Sequence, residues 1–325
     1  MYALCVFFLA LSVVVGGRDV SVGADTENYT YFFNNIKSTL YSTRFELLFK
    51  YLAYGVGLLT NNAKIFFVVI FLLFNFTYFY FYLCISDERQ RIVGLFILTG
   101  LMLSSSWYVA ATINGLRQGL SLPVLYLSLF FFSKRKFLTS VLFFITSLGF
   151  HKTSVLVSPF FFLIFIPSWL VLFSFIVCSL FYLFGITEIL VSMVSDLLSI
   201  SLYEDITNYA SGSSNWFGLQ YKFYLYTVFW GVGFYILRKY VKEPCFKTYM
   251  TLWKFYCILM MPYFFFGFAA YSNRYAFIGW LFLPIIQAFF IASSKIGKKI
   301  KLMLGLVFLV FGLFSYSHFI LGVWY

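Results

Sequence analysis

Long apolar runs separated by short polar breaks make up nearly the whole chain. An α-helix rises about 1.5 Å per residue, so about 20 apolar residues cross a hydrocarbon core of roughly 30 Å. Runs at 1–16, 65–85, 92–113, 116–132, 169–186, 221–237, 248–270, 275–293 and 302–320 read as membrane helices. A further apolar climb from 137 is interrupted at His151-Lys152-Thr153-Ser154 and resumes to Ile166, which brings the count to about eleven, in a range of ten to twelve. The first run lacks a basic n-region and therefore reads as a membrane helix rather than a signal peptide, although Gly16-Gly17 would suit a cleavage site. Its sixteen residues are short for a crossing, which leaves room for a start further upstream.

Two longer polar stretches interrupt the pattern, at 17–64 and 187–220. The first opens GRDVSVGADTENY, and its five basic and four acidic residues nearly cancel. From about Asn28 to Leu59 it holds enough Phe, Tyr and Leu to lie on a bilayer surface as amphipathic helices. The second carries Glu188, Asp196, Glu204 and Asp205, whose plain reading is solvated charge, and ends in the loop-like ASGSSNW. The pattern predicts an all-α polytopic integral membrane protein: one transmembrane domain over 1–325 with two larger loops on one side.

Composition agrees. The 325 residues are 62% hydrophobic and 25% aromatic, with only 10% charged and a mean hydropathy of +0.91, which excludes a soluble domain of this size. A net charge of +12 would fit nucleic acid, but its distribution fits a membrane better. The loops at 86–91, 133–136, 238–247 and 294–301 carry two, three, four and four basic residues, thirteen of the 23. Alternating spans put all four on one side, which the positive-inside rule makes cytoplasmic. The opposite face then receives both long polar stretches, Asn114–Gln118, His151-Lys152 and Tyr271–Arg274. Five scattered cysteines form no disulfide framework, and two histidines offer no metal spacing, so neither a metal nor another cofactor is expected.

The chemistry-bearing residues collect on that outer face. Asn114-Gly115-Leu116-Arg117-Gln118 sits between two apolar runs. An arginine there costs up to about 2.5–3.5 kcal/mol at a helix centre, less near the ends, and calls for an anionic partner or a snorkelling route to water. Arg18, Arg117 and Arg274 each end an apolar run, and planar guanidinium groups suit a diphosphate. His151, in a polar break, is a candidate general base, proton shuttle or phosphate donor, with Lys152 beside it at the interface. Asp25 in GADTENY and Glu46 in TRFELLF are candidates to orient or deprotonate a hydroxyl, or to pair with Arg18 or Arg44. His318 reads as structural.

The order GRDVSVGADTENY, TRFELLF, NGLRQGLS, FHKTS and a late YSNRY, over roughly 17–280, resembles the EpsG-like family of Wzy-type polysaccharide polymerases. Gly23-Ala24-Asp25 fits that family's G-x-D, and NxxRQ with the downstream His-Lys-Thr-Ser is the most specific part. The resemblance implies a glycosyltransferase of the bacterial inner membrane, active on its periplasmic face and built as a GT-C-like helical bundle. It would move a growing glycan from undecaprenyl diphosphate to the non-reducing end of a new lipid-linked repeat unit, as in O-antigen or exopolysaccharide synthesis, beside a flippase and a chain-length regulator. Under that reading Arg117 and Arg274, then Arg18, hold the diphosphate, and Gln118 and Asn114 support it. His151 is the first candidate base and Asp25 the second, and substrate choice resides in 187–220. Two alternatives remain open: a transferase using a polyprenyl-phosphate sugar, with its acid among Asp19, Asp25 and Glu46, and a transporter or flippase of lipid-linked sugars. The lack of an internal repeat and the one-sided polar residues weigh against the last.

Overall fold

The computed structural model describes residues 2–197, 199, 203, 218–269 and 271–320; Glu204 and Asp205 lie outside them. Among the described residues the chain is built of helices, divided into two compact units, 1–155 with 287–325 and 156–286.

The first unit contains α1 (Tyr2–Gly16), α2 (Thr26–Asn34), α3 (Ile36–Thr39), α4 (Leu47–Leu59), α5 (Ala63–Ile85), α6 (Glu88–Leu103), α7 (Ser106–Ile113), α8 (Leu116–Ser133) and α9 (Phe137–Phe150). The last long helix, Lys298–Ile320, returns to it. α1 packs on α5, α8 on both α5 and α9, and the last helix along α6. Association of apolar helices in lipid depends on close backbone approach at small residues. Gly100 of α6 meets the last helix so closely that a Cβ there would fall 2.5 Å from the Leu309 amide nitrogen.

The second unit contains α10 (Ser168–Leu183), α11 (Ile186–Leu197), α12 (Tyr221–Leu237), α13 (Glu243–Phe266) and α14 (Ser272–Trp280). Its core is aromatic, and three of its buried rings direct their polar ends to partners on α12. Trp253 Nε1 donates to the Gly231 carbonyl at 2.8 Å, Tyr256 to the Thr227 carbonyl at 3.0 Å, and Trp280 Nε1 to the Thr227 hydroxyl at 3.0 Å. A 3₁₀ helix, Lys152–Ile164, and α15 (Leu283–Ser293) run across the division between the units; the Lys298–Ile320 helix is α16.

Four helical stretches among the described residues are long and apolar enough to cross a membrane: α5, α8, Ser272–Ser293 and α16. Two bent pairs, α6 with α7 at 75° and α10 with α11 at 89°, bring the number to six. The chain is therefore a polytopic helical membrane protein. The structure modifies two expected elements. The 92–113 run is broken at Ser104-Ser105, where the Ser104 hydroxyl donates to the Leu101 carbonyl and Ser105 turns extended; serine hydroxyls compete with the helix for its own backbone. The 187–220 stretch begins as a helix, α11, rather than as a loop.

The glycines of α4 and α6 give a paired test. Gly100→Ala forces backbone apart and should destabilise the protein by about 1–3 kcal/mol as overpacking. At Gly55, where nothing lies within 4 Å, alanine should be neutral or stabilising by up to about 1 kcal/mol from helix propensity. Thermal unfolding in one detergent would show opposite shifts; equal shifts would contradict the close contact.

Candidate functional site

Three helix ends of the first unit meet at one carboxylate. Glu46 is the residue before α4, extended at φ −67° and ψ 153°, and its side chain does not cap its own helix. Arg117 lies in the first turn of α8. His151 follows α9 with extended backbone, φ −160° and ψ 127°. The Glu46 carboxylate takes Arg117 Nη1 on Oε2 at 2.7 Å and His151 Nδ1 on Oε1 at 2.8 Å. The Lys152 backbone N–H reaches Oε1 at 3.3 Å.

Burial alone would push the Glu46 carboxyl up. The hydrogen bond and charge of His151, and those of Arg117, outweigh it and hold the group down to about 2, against an ordinary 4.5. A carboxylate only accepts hydrogen bonds, so the His151 nitrogen facing it, Nδ1, must be the donor. In the neutral ring this leaves Nε2 as the proton acceptor, the tautomer a general base needs. His151 keeps 16% of its side chain exposed.

Arg117 is held on its other side by aromatic rings. Its guanidinium carbon lies 4.3 Å from the centre of the Phe45 ring, within cation–π range. Phe45 is fixed edge-on against Phe32 at 4.5 Å. Tyr29 is buried beside Arg117; burial pushes its phenol up, with the Arg117 charge opposing, so it stays an O–H at neutral pH. Arg117 and Phe45 also line a cavity of about 480 Å³ whose remaining wall comes from Asp25 through Thr43.

Serines set the register of α8 on α9. The Ser121 hydroxyl lies 2.9 Å from the Ser147 hydroxyl and 2.7 Å from that of Ser154, and Ser147 donates to the Ser121 carbonyl at 2.9 Å. Two turns away Ser128 and Ser140 exchange hydroxyl–carbonyl bonds at 2.9 Å. Ser121 is one turn inside α8 from Arg117, and Ser147 is one turn before His151, so this ladder sets the spacing of the two side chains that meet Glu46. Sequence reasoning missed these serines, although a signal exists: 121 and 128 in α8, and 140 and 147 in α9, are each seven residues apart and so share a helix face.

The structure brings together Glu46, Arg117, His151 and the Lys152 backbone, and it changes several expected roles. Glu46 pairs with neither Arg18 nor Arg44. The Lys152 side chain is exposed and contributes only its N–H. Arg18 is buried, donating to the Val15 carbonyl at 2.8 Å and the Ile113 carbonyl at 3.4 Å and covering the Phe67 ring, so it braces α1, α5 and α7. Asp25 precedes α2 and lines the cavity without capping its helix. Asn114 ends α7 with its Oδ1 buried and without a hydrogen-bond partner among the described residues. Gly23, at φ +90°, lies against it; a Cβ there would fall 2.4 Å from that oxygen. Gln118 is buried in α8. Arg274 belongs to the second unit, exposed in the first turn of α14 with its guanidinium 4.5 Å from the Tyr271 ring centre.

Compared with known families, the sequence matches the EpsG family over residues 1–323, essentially the whole chain. No curated protein and no solved structure matches it. That family suggests a polysaccharide polymerase-like activity.

The lowered Glu46 value fixes the sign of a pH effect. A carboxyl whose folded value lies below its unfolded one adds stability that is complete above about 4.5 and is lost as pH falls towards about 2. Thermal unfolding of the wild type should therefore weaken over that window more steeply than that of Glu46→Gln, which should start lower at pH 7. Parallel curves would mean that the carboxylate is not held by Arg117 and His151.

Proposed function

The chain belongs to the EpsG family, and on that premise we propose that it polymerises lipid-linked oligosaccharide repeat units as a glycosyltransferase of the bacterial inner membrane. The observation that carries this reading is the Glu46–Arg117–His151 cluster beside a cavity that mixes amides, hydroxyls and aromatic faces. Under this reading the cluster lies on the periplasmic face, opposite the four basic loops, in a bundle of GT-C type. The donor is a glycan on undecaprenyl diphosphate, and the acceptor is the non-reducing sugar of a new repeat unit on the same carrier. A flippase supplies the units and a chain-length regulator works beside the enzyme.

The cluster's charges suit such a transfer. With His151 neutral, Arg117 and Glu46 cancel. His151 Nε2 takes the acceptor hydroxyl's proton as the oxygen attacks the anomeric carbon; the new C–O bond forms, and the bond from that carbon to the diphosphate oxygen breaks. The cluster then carries one net positive charge as the leaving diphosphate gathers negative charge. Preorganised charge of this kind lowers the barrier without reorganisation during the step. Glu46 positions the imidazole and fixes its tautomer, and Arg117 holds Glu46 while turning its remaining edge to the cavity. Asn114 and Gln118 support that end of α8, and Asp25 remains the alternative base. Arg18 receives no substrate role.

Complementation in a strain lacking the protein tests the reading, with surface glycan resolved on a ladder gel and protein level followed by blot. Arg117→Ala and His151→Gln should be present in the membrane yet leave single-repeat glycan. Arg117→Lys should recover little, because a lysine cannot reproduce the planar fork that reaches Glu46 and covers Phe45. A full ladder from Arg117→Ala, or loss of even the first repeat in every variant, would contradict a polymerase centred on this cluster.

A further inference from the structure

The cavity wall is made almost wholly by one short stretch, Asp25–Phe45, closed by Arg117. Its hydrogen-bonding inventory is two-sided. The Ser42 hydroxyl donates to the Thr39 carbonyl at 3.3 Å and so turns lone pairs to the cavity. The Thr43 hydroxyl accepts from the Phe45 N–H at 3.4 Å and keeps its own proton to give. Asn28 offers a carboxamide, both donor and acceptor, and Asn35, one of whose two amide hydrogens goes to the Tyr31 carbonyl at 2.9 Å, offers its oxygen as well. Phosphates and carboxylates only accept. Hydroxyls both donate and accept, and a wall built this way matches a polyol. Tyr31, 72% exposed at the rim, presents an aromatic face of the kind sugar rings cover.

The charges narrow the class further. Among the described residues lining the cavity Arg117 is the sole cation, and its charge is met by Glu46 at 2.7 Å. Asp25 lines the same space, makes no ion pair among the described residues and does not cap α2. An anionic sugar would face Asp25 with no cation to spare. The volume of about 480 Å³ lies in the ordinary range for small-ligand sites, about 300–1,000 Å³.

We propose that Asp25–Phe45 is the glycan-reading element of this chain and that its cavity takes an uncharged sugar, excluding uronic acids through Asp25. This deepens the polymerase reading and rests on it for the sugar's place in a repeat unit, but sugar binding is measured without turnover. The protein in phosphatidylcholine nanodiscs, which present no polyol headgroup, is probed by saturation-transfer NMR with di-N-acetylchitobiose and with a glucuronic-acid-ended disaccharide. The neutral probe should bind the wild type and the acidic probe should not. Asn28→Ala and Ser42→Ala should each weaken the neutral probe about fivefold, the scale of one neutral hydrogen bond. Asp25→Asn should admit the acidic probe, a gain that misfolding cannot imitate. Equal binding of both probes to the wild type, no binding of either, or an acidic probe still refused by Asp25→Asn would overturn the proposal. A ladder lost in Arg117→Ala alongside such a result would leave the polymerase reading standing, and a full ladder with sugar binding intact would sink the polymerase reading alone.

Discussion

Glu46 keeps only 12% of its side chain in contact with solvent, and a carboxylate so placed stays ionised only where charged or N–H donors replace water. Arg117 and His151 are those donors, and each comes from the end of a different helix. The arrangement is mutually dependent. Without Glu46, Arg117 loses its counter-charge and His151 loses the acceptor that sets its tautomer. Without the packing of α8 on α9, the two donors do not arrive together. Removing one member of a buried pair is worse than never having built it, so the three side chains act as one unit and tie the start of α4 to the α8–α9 pair.

The cost of this unit shows in the helix caps. A side-chain acceptor before a helix usually satisfies an orphan backbone N–H and stabilises the helix by about 1 kcal/mol. Asp25 and Glu46 occupy those positions before α2 and α4, and neither makes the bond. Both carboxylates belong to the polar stretch 17–64. One turns to Arg117 and His151, the other to the cavity. Local helix stability is given up at the two points where the stretch meets charge or open space.

Much of this was legible in the sequence and part of it could not be. Hydropathy marks α5, α8 and α16 within a few residues, and the polar break at His151 ends a helix where expected. Arg117 and His151 stand out because polar groups amid apolar sequence are conspicuous. Their partner does not. Glu46 lies 71 residues from Arg117 and 105 from His151, inside a segment that reads as an ordinary amphipathic surface helix, and no periodicity links such positions. Arg18 shows the converse. At a helix end with aspartate next in sequence it looks like a ligand for an anion, yet its donors go to the carbonyls that α1 and α7 leave exposed at their ends and to the Thr26 hydroxyl, outlets that exist only once those helices are assembled. The break at Ser104-Ser105 was hidden because three serines in a row do not lower hydropathy enough to divide a run.

The serine ladder between α8 and α9 has a mechanical consequence. Apolar contacts have no direction, and helices joined by them alone can slide or rotate at small cost. Hydroxyl-to-carbonyl bonds at Ser121–Ser147 and again at Ser128–Ser140 allow one register only. A bilayer that thickens or thins is accommodated by helix tilt, and a pair pinned at two levels tilts as a single body. The spacing of the guanidinium and the imidazole is then a property of the helix pair and not of whatever surrounds it.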